Sequence, residues 1–121
     1  LHALGCHVTA IGNTPDGLFD HPPEPIRENL GGVARQMPDD TDVVFCQDPD
    51  ADRLAILDEQ GTYIGEEYTA VLCMWGRLEK QLGPIVTNCA SSSMADYIAK
   101  RFGVPCYRSK VGEANVVDRM L

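Results

Sequence analysis

The chain has 121 residues, of which 44% are hydrophobic and 23% are charged. This composition argues against intrinsic disorder, and the length is enough to bury a hydrophobic core, either as one domain or as two incomplete ones. The formal net charge of -8 argues against a nucleic acid or an anionic membrane surface as partner, and it makes a divalent cation easier to accommodate.

Cysteine usage and the chain ends give further expectations. Five cysteines are widely spaced without a CxxC pair, and most lie in apolar runs. We therefore expect reduced, buried thiols in a cytoplasmic protein rather than disulfides or a zinc site. No apolar run is long enough for a membrane span. The chain starts at Leu1 without Met and ends in the apolar-periodic run VVDRML, so we expect a piece of a longer protein.

The first half of the chain alternates strand and helix signals. Residues 8–11 form a β-like run, and a long segment rich in proline, glycine and aspartate follows it. From Ile26 onward apolar residues recur on one helical face, and Pro25 suits the first turn of that helix. Further strands are predicted at residues 43–46 and 54–57, followed by a turn and the short run TYI. The acidic segment between these two strands is therefore expected to be a loop.

The second half repeats this alternation. The pattern predicts helix, strand, helix, strand and helix at residues 68–82, 84–87, 94–102 and 105–108 and from Glu113 onward. Ser91, Ser92 and Ser93 can cap the middle helix, and Gly103 can end it. Strands that alternate with helices of this length predict an α/β fold with mostly parallel, mixed sheets.

The two halves also suggest two partial domains. The acidic loop and its flanking strands come first, and a new series of helices and strands starts after the turn that follows the second strand. We therefore place the boundary at this turn, so that residues 1–60 belong to one domain and residues 61–121 to the other.

The run DPDADR, residues 48–53, has the most distinctive chemistry. Asp48, Asp50 and Asp52 alternate after a strand, and alternate residues of an extended segment project from one side. Two carboxylates about 5 Å apart repel by roughly 3 kcal/mol at an effective dielectric constant of about 20, so a cation should offset this cost. Oxygen ligands without sulfur or imidazole suit Mg²⁺ or Ca²⁺. Arg53 would add little to a metal alone but could contact a phosphate beside it, which indicates phosphoryl chemistry.

Other interpretations of these residues remain open. In a calcium-binding loop of EF-hand type the aspartates would fill the first, third and fifth positions and Glu59 the twelfth, although Arg53 stands where that loop needs glycine. Such a module would bind Ca²⁺ without catalysis. A phosphatase with a DxD nucleophile is another alternative, but its later motifs are not recognisable. A solvated acidic turn without metal is the simplest one.

With its flanking strands, DPDADR resembles the metal-binding loop of the α-D-phosphohexomutases, the phosphoglucomutase and phosphomannomutase superfamily, whose common form is DGDGDR or DGDADR. Three further segments are similar to family segments in the same order. They are NTPDGLFDHPPEPIRENL before the loop and GTYIGEEYTAVL and SKVGEANVVDRM after it. The resemblance covers nearly the whole chain, and it implies the later part of the family's second domain followed by the first part of its third.

The resemblance implies an enzyme that moves a phosphoryl group between the C1 and C6 oxygens of a phosphosugar. The phosphoryl group passes through a phosphoserine of another domain and a bisphosphorylated intermediate. Asp48, Asp50 and Asp52 would bind Mg²⁺ as cofactor, and Arg53 would be the catalytic residue that steadies the phosphoryl group. The implied partners are the phosphosugar and the remaining domains, and the isolated chain is expected to be inactive.

Two residues near the end of the chain are implied in substrate binding. Lys110 and Glu113 lie where the family's third domain approaches the phosphosugar, and they could bind its phosphate and hydroxyl oxygens. As a pair of charges before a helix they could equally be exposed, with Glu113 favoured by the helix dipole. Some members carry a histidine in the place of Glu113 and a lysine in the place of Cys89, so the resemblance does not imply which sugar is used.

Overall fold

The computed structural model describes residues 1–19 and 21–121; Asp20, in the long proline-rich segment, lies outside the described residues. The chain forms two compact units, Leu1–Glu66 and Glu67–Leu121. Each unit combines helices with a two-stranded sheet, which confirms the predicted α/β class. Within the described ranges, no helix is both long enough and apolar enough to cross a membrane.

The first unit is built around an antiparallel hairpin. Strands β1 (Val44–Gln47) and β2 (Leu54–Leu57) pair along their whole length. The connection between them, residues 48–53, is much shorter than the crossover that two parallel strands would need. This pair therefore differs from the mostly parallel arrangement that the alternation of elements predicts, and it places the acidic loop at the tip of a hairpin.

A helix covers one face of this hairpin. Helix α1 (Arg27–Ala34) buries Leu30 and Val33 against Ala55 and Leu57 of the second strand. Full burial of a side chain such as leucine contributes about 1.5–3 kcal/mol, so this small core holds the hairpin against the helix. The acidic loop thus extends from a packed element rather than from a mobile segment.

Residues 8–11, for which the sequence predicts a strand, are irregular. A strand needs a neighbour for its backbone N–H and C=O groups, and no such pairing exists for these residues within the described part of the chain. The run TYI contributes a bridge between Leu57 and Tyr63. Strand propensity alone is therefore not sufficient to make residues 8–11 a strand when they have no neighbouring strand to pair with among the described residues.

The second unit is built around a parallel pair of strands. Its elements are α2 (Glu66–Lys80), β3 (Ile85–Asn88), α3 (Met94–Phe102), β4 (Cys106–Ser109) and α4 (Glu113–Met120). Strands β3 and β4 run parallel, as the helical crossover between them requires. The sheet and α3 share a core in which Ile85, Ala95 and Ile98 are buried. Trp75 packs beside this core with its ring edge-to-face on Phe102, at 5.4 Å between ring centroids.

The ends of α3 follow the predicted signals. The Ser92 hydroxyl oxygen accepts a hydrogen bond from the backbone N–H of Met94 at 3.2 Å, so a serine satisfies one N–H of the first turn, although Ser93 at the N-cap position makes no side-chain cap bond. Gly103 has a φ of 67° and its N–H donates to carbonyls of the last turn. Glycine adopts this left-handed conformation without a steric penalty, which explains why the helix ends there.

The five cysteines are free thiols, but most of them are not buried. Cys46 is buried and Cys106 is partly buried, whereas Cys6, Cys73 and Cys89 are exposed. The expectation of mostly buried thiols is therefore wrong. An apolar run in the sequence can place a cysteine on the outer side of a helix, as for Cys73, or beyond the end of a strand, as for Cys89.

Candidate functional site

The acidic loop 48–53 begins with a tight turn. The N–H of Ala51 donates to the carbonyl oxygen of Asp48 at 3.1 Å, and Pro49 takes the second position of this turn, where its fixed φ fits. Ala51 itself has a φ of 59°, which is uncommon for a residue other than glycine. The turn reverses the chain within a few residues and so replaces the extended segment that the alternation of aspartates suggests.

The structure brings together the three aspartates of this loop. Asp48, Asp50 and Asp52 each offer one carboxylate oxygen, and these oxygens lie within 4.8 Å of one another. Asp48 is buried, whereas the other two are exposed. Mg²⁺ is bound by one or a few carboxylates together with water and phosphate oxygens. The donor set, oxygen only and partly exposed, therefore fits this ion.

Arg53 holds the buried aspartate in place. Its backbone N–H donates to Oδ1 of Asp48 at 3.0 Å and its Nε donates to Oδ2 at 2.8 Å. Burial by itself would raise the pKa of the Asp48 carboxyl group, but these hydrogen bonds and the positive charge of Arg53 outweigh it and lower the pKa well below its usual range. Asp48 is therefore ionised and fixed in orientation before any ligand arrives.

The third aspartate shows the opposite shift. The pKa of Asp52 is raised by its hydrogen bond with Asp48 and by the negative charges of Asp50 and Asp48, although Arg53 partly compensates. The nearest approach of Arg53 Nε to an Asp52 oxygen is 3.9 Å. The loop thus concentrates more negative charge than its one arginine neutralises, and a bound cation would relieve the repulsion.

Glu24 also contacts Arg53, and the sequence interpretation did not select it. Arg53 Nη1 donates to Oε1 of Glu24 at 3.2 Å, across 29 positions of the chain. Hydrogen bonds to Asp48 and Glu24 raise the pKa of Arg53, and its side chain remains 46% exposed. The guanidinium group is therefore held between two carboxylates with part of its surface open to a ligand. In the sequence, Glu24 is distinguished only by being an acidic residue within the proline-rich run PPEP.

Glu59 is not part of this cluster. It lies in the turn after β2, and the strand separates it from the acidic loop. Four strand residues at about 3.3 Å each make this separation roughly 13 Å. In that turn the side chain of Asp58 accepts hydrogen bonds from the N–H groups of Gln60 and Thr62. A calcium loop of EF-hand type therefore lacks its twelfth-position ligand.

In the second unit, Lys110 and Glu113 lie beyond the carboxyl end of β4. Both side chains are exposed, and Glu113 is the first residue of α4. Among the described residues, neither side chain makes a hydrogen bond or an ion pair. Their carboxylate and ammonium groups are thus open to a ligand, while Glu113 also suits the positive end of the helix dipole.

Arg108 is the most highly connected side chain near these two residues, and the sequence interpretation missed it. Its Nη1 donates to the carbonyl oxygens of Asn88 at 2.9 Å and Ser91 at 2.7 Å. Its Nη2 donates to the carbonyl oxygen of Ser92 at 3.1 Å and to the carboxylate of Asp96. The sequence does contain a pattern that could have identified Arg108. It shares a strand face with Cys106, and a charged side chain on the inward face of a strand requires hydrogen-bond partners.

Family models of known proteins match both parts of the chain. Residues 1–61 match the family described as phosphoglucomutase/phosphomannomutase, alpha/beta/alpha domain II. Residues 65–121 match the corresponding alpha/beta/alpha domain III. The resemblance noted in the sequence is therefore confirmed over both parts of the chain.

Individual relatives give the same result. The chain is 39% identical over 126 residues to a phosphoglucomutase/phosphomannomutase of Thermococcus kodakarensis, with all of this chain and 27% of the relative covered. It is 34% identical to a probable phosphoglucosamine mutase of Methanopyrus kandleri, covering 96% of this chain and 26% of the relative. A crystal structure described as a phosphomannomutase of Thermus thermophilus superposes with a TM-score of 0.66 at 27% identity, covering 74% of this chain and 21% of that one. The chain thus spans about a quarter of the length of these relatives.

Proposed function

The chain belongs to the phosphoglucomutase/phosphomannomutase family, and from this premise we propose that it is the central part of a Mg²⁺-dependent phosphohexomutase. The mutases among its relatives support the general kind of reaction, an isomerisation. The observation that carries the finer proposal is the hairpin tip, where three carboxylate oxygens lie within 4.8 Å of one another and Arg53 lies beside them.

The three aspartates would hold the metal ion. Asp48 is fixed by Arg53, while Asp50 and Asp52 are exposed and could adjust their positions to an octahedral ion. When bound, Mg²⁺ would neutralise part of the charge of the transferring phosphoryl group. The pKa of Asp52 is raised by its hydrogen bond with Asp48 and by the negative charges of Asp50 and Asp48, and a bound cation would relieve the repulsion among these charges.

Arg53 would act on the phosphoryl group directly. A guanidinium group has five N–H donors, and the contacts with Asp48 and Glu24 use its Nε and Nη1 atoms. Its remaining N–H groups can donate to phosphoryl oxygens, for which the planar guanidinium is well suited. The two carboxylates would fix the plane of the group, and the ligand would meet an oriented donor rather than a flexible one.

The remaining assignments follow the family pattern. A phosphoserine outside this chain would carry the phosphoryl group between the C1 and C6 oxygens of a phosphosugar, and Lys110 and Glu113 would bind oxygens of that sugar. We assign residues 1–60 to the metal-binding domain and residues 61–121 to the sugar-recognition domain. Five free thiols are compatible with a cytoplasmic location.

The direct test replaces a metal ligand in the full-length enzyme. We expect Asp50→Ala to lower Mg²⁺-dependent mutase turnover by about a thousandfold or more, since a metal ion supplies several kcal/mol of charge stabilisation. Asp40→Ala, which removes an exposed aspartate outside the loop, is the matched control and should remain active. Comparable turnover in the two variants would refute the ligand assignment.

A binding measurement on the 121-residue chain tests the metal site without catalysis. Titration calorimetry should show weak Mg²⁺ binding that Asp50→Ala removes and Glu59→Gln leaves unchanged. Tight Ca²⁺ binding that depends on Glu59 would favour the calcium module instead. The same chain should show no mutase activity, because the serine that receives the phosphoryl group lies elsewhere, and any turnover would contradict this part of the proposal.

A further inference from the structure

The Arg108 side chain uses every N–H group of its two terminal nitrogens. Each of these nitrogens carries two hydrogens, and the four acceptors are the carbonyls of Asn88, Ser91 and Ser92 and the carboxylate of Asp96. The carbonyls of Ser91 and Ser92 precede helix α3. The bonds to Asn88 and Ser92 are partly buried, where a carbonyl needs a donor, and Arg108 supplies it.

These contacts lie at the carboxyl edge of the parallel pair. Beyond β3 the ladder continues with a hydrogen bond from the N–H of Cys89 to the carbonyl oxygen of Ser109, at 3.0 Å. The loop between β3 and α3, residues 89–93, therefore leaves the sheet beside the segment that carries Lys110. Ligands of α/β sheets bind at this edge of the strands, so a loop fixed here can shape a binding surface.

We propose that Arg108 is a positioning residue for phosphosugar recognition, which fixes the 89–93 loop against the segment that carries Lys110. This inference rests on the proposed function. Arg108 would not touch the sugar, because its terminal N–H groups are already occupied by the loop and by Asp96. It would act by holding the loop's backbone and hydroxyl groups at a constant distance from Lys110, and small displacements of such groups are costly for binding and turnover.

The test uses Arg108→Lys in the full-length enzyme, with glucose 1-phosphate and mannose 1-phosphate as probes. Lysine keeps the positive charge but has a single nitrogen with three donors, so it cannot reach all four acceptors. We expect kcat/KM to fall by about ten- to a hundredfold, mainly through a higher KM, while the Mg²⁺ concentration for half-maximal activity is unchanged.

The matched control is Arg119→Lys. Arg119 belongs to the same unit and stacks on the ring of Tyr107, 5.0 Å from its centroid, without contacting the loop carbonyls. This variant should keep the wild-type KM. An equal loss in both variants would show that any arginine of this unit matters only for stability, and it would overturn the proposed role of Arg108.

Amide hydrogen exchange separates the structural step from the functional one. In Arg108→Lys the amides of residues 89–93 should exchange faster than in the wild type, while those of β3 and β4 are little affected. Unchanged exchange would overturn the contact itself, and faster exchange with a normal KM would overturn its role in sugar recognition. A wild-type enzyme without mutase activity would instead refute the proposed function, and the role in sugar recognition with it.

Discussion

Two arginines, one in each unit, show how differently the same side chain can be used. Arg53 contacts two carboxylates through Nε and Nη1 and stays 46% exposed. Arg108 directs both terminal nitrogens at three backbone carbonyls and a carboxylate, and its side chain is 26% exposed. Arg53 is thus an oriented donor that has N–H groups left for a ligand. The terminal N–H groups of Arg108 are instead all used by acceptors of its own unit.

This difference follows from what surrounds each arginine. Around Arg53 the excess charge is negative, because three aspartates and Glu24 face a single cation. A further positive charge would reduce the repulsion within this cluster. Around Arg108 the acceptors are mostly neutral carbonyls, and one carboxylate balances the charge. The first region therefore has negative charge left unbalanced, whereas in the second the arginine is matched by acceptors of its own unit.

For the comparison of the two arginines, the largest expected effect is the loss of activity on changing Arg53. In the full-length enzyme, Arg53→Lys should lower kcat by about a hundredfold, because an ammonium group cannot keep both carboxylates and also donate to a phosphoryl oxygen. The Mg²⁺ affinity should change much less. Steady-state kinetics at varied Mg²⁺ concentrations provide the measurement.

The companion variant for this comparison is Arg108→Lys, whose loss should appear mainly in KM. If Arg53→Lys also changed only KM, the two arginines would not differ in the way the structure indicates, and Arg53 would be a binding residue rather than a residue that acts on the transferred group.

Local patterns in the sequence predicted much of this arrangement. The strand at 54–57 and the helix at 94–102 have unambiguous periodicity and end signals, and both are found. The spacing of the three aspartates predicted their grouping, although a tight turn rather than an extended segment brings them together. Local patterns failed where partners are distant along the chain. The contact of Glu24 with Arg53 depends on the path of a proline-rich loop, and the missing strand at 8–11 depends on a neighbouring strand.

The next effect concerns stability and separates two aspartates of the same loop. Asp48→Asn should lower the melting temperature of the 121-residue chain by about 5 °C or more, because the buried carboxylate loses its charge towards Arg53. Asp50→Asn, at an exposed position, should have little effect. The melting temperatures of both variants can be measured by thermal unfolding without metal, monitored by circular dichroism. Equal shifts would mean that Asp48 is not more important for folding than its neighbour.

A smaller effect of opposite sign is expected at Asp52. Because its hydrogen bond with Asp48 and the negative charges of Asp50 and Asp48 raise its pKa, ionised Asp52 destabilises the metal-free loop at neutral pH. Asp52→Asn should therefore raise the melting temperature slightly without Mg²⁺ and should also weaken Mg²⁺ binding. Unfolding curves with and without the ion test both parts. A variant that is less stable without metal would contradict the repulsion inferred for this cluster.

The smallest effect is a difference in salt sensitivity between the two units. Arg53 lowers the pKa of Asp48, against the effect of burial, and Arg108 lowers that of Asp96. Since both folded-state values lie below the unfolded value of about 3.9, each group contributes stability that is present above that pH and is lost as the pH falls towards the folded-state pKa.

Salt should act unequally on these two groups. The side chain of Asp96 is 52% exposed and that of Asp48 only 1%, and exposed ion pairs are screened much more strongly than buried ones. In a carboxyl ¹³C NMR titration, about 1 M NaCl, where the screening length is about 3 Å, should bring the pKa of Asp96 closer to its usual value and move that of Asp48 less. Asp58, whose pKa is lowered mainly by backbone hydrogen bonds, is the internal control and should hardly respond. A larger salt response at Asp48 would show that its contact with Arg53 is open to solvent, and the contrast between the two arginines would then be lost.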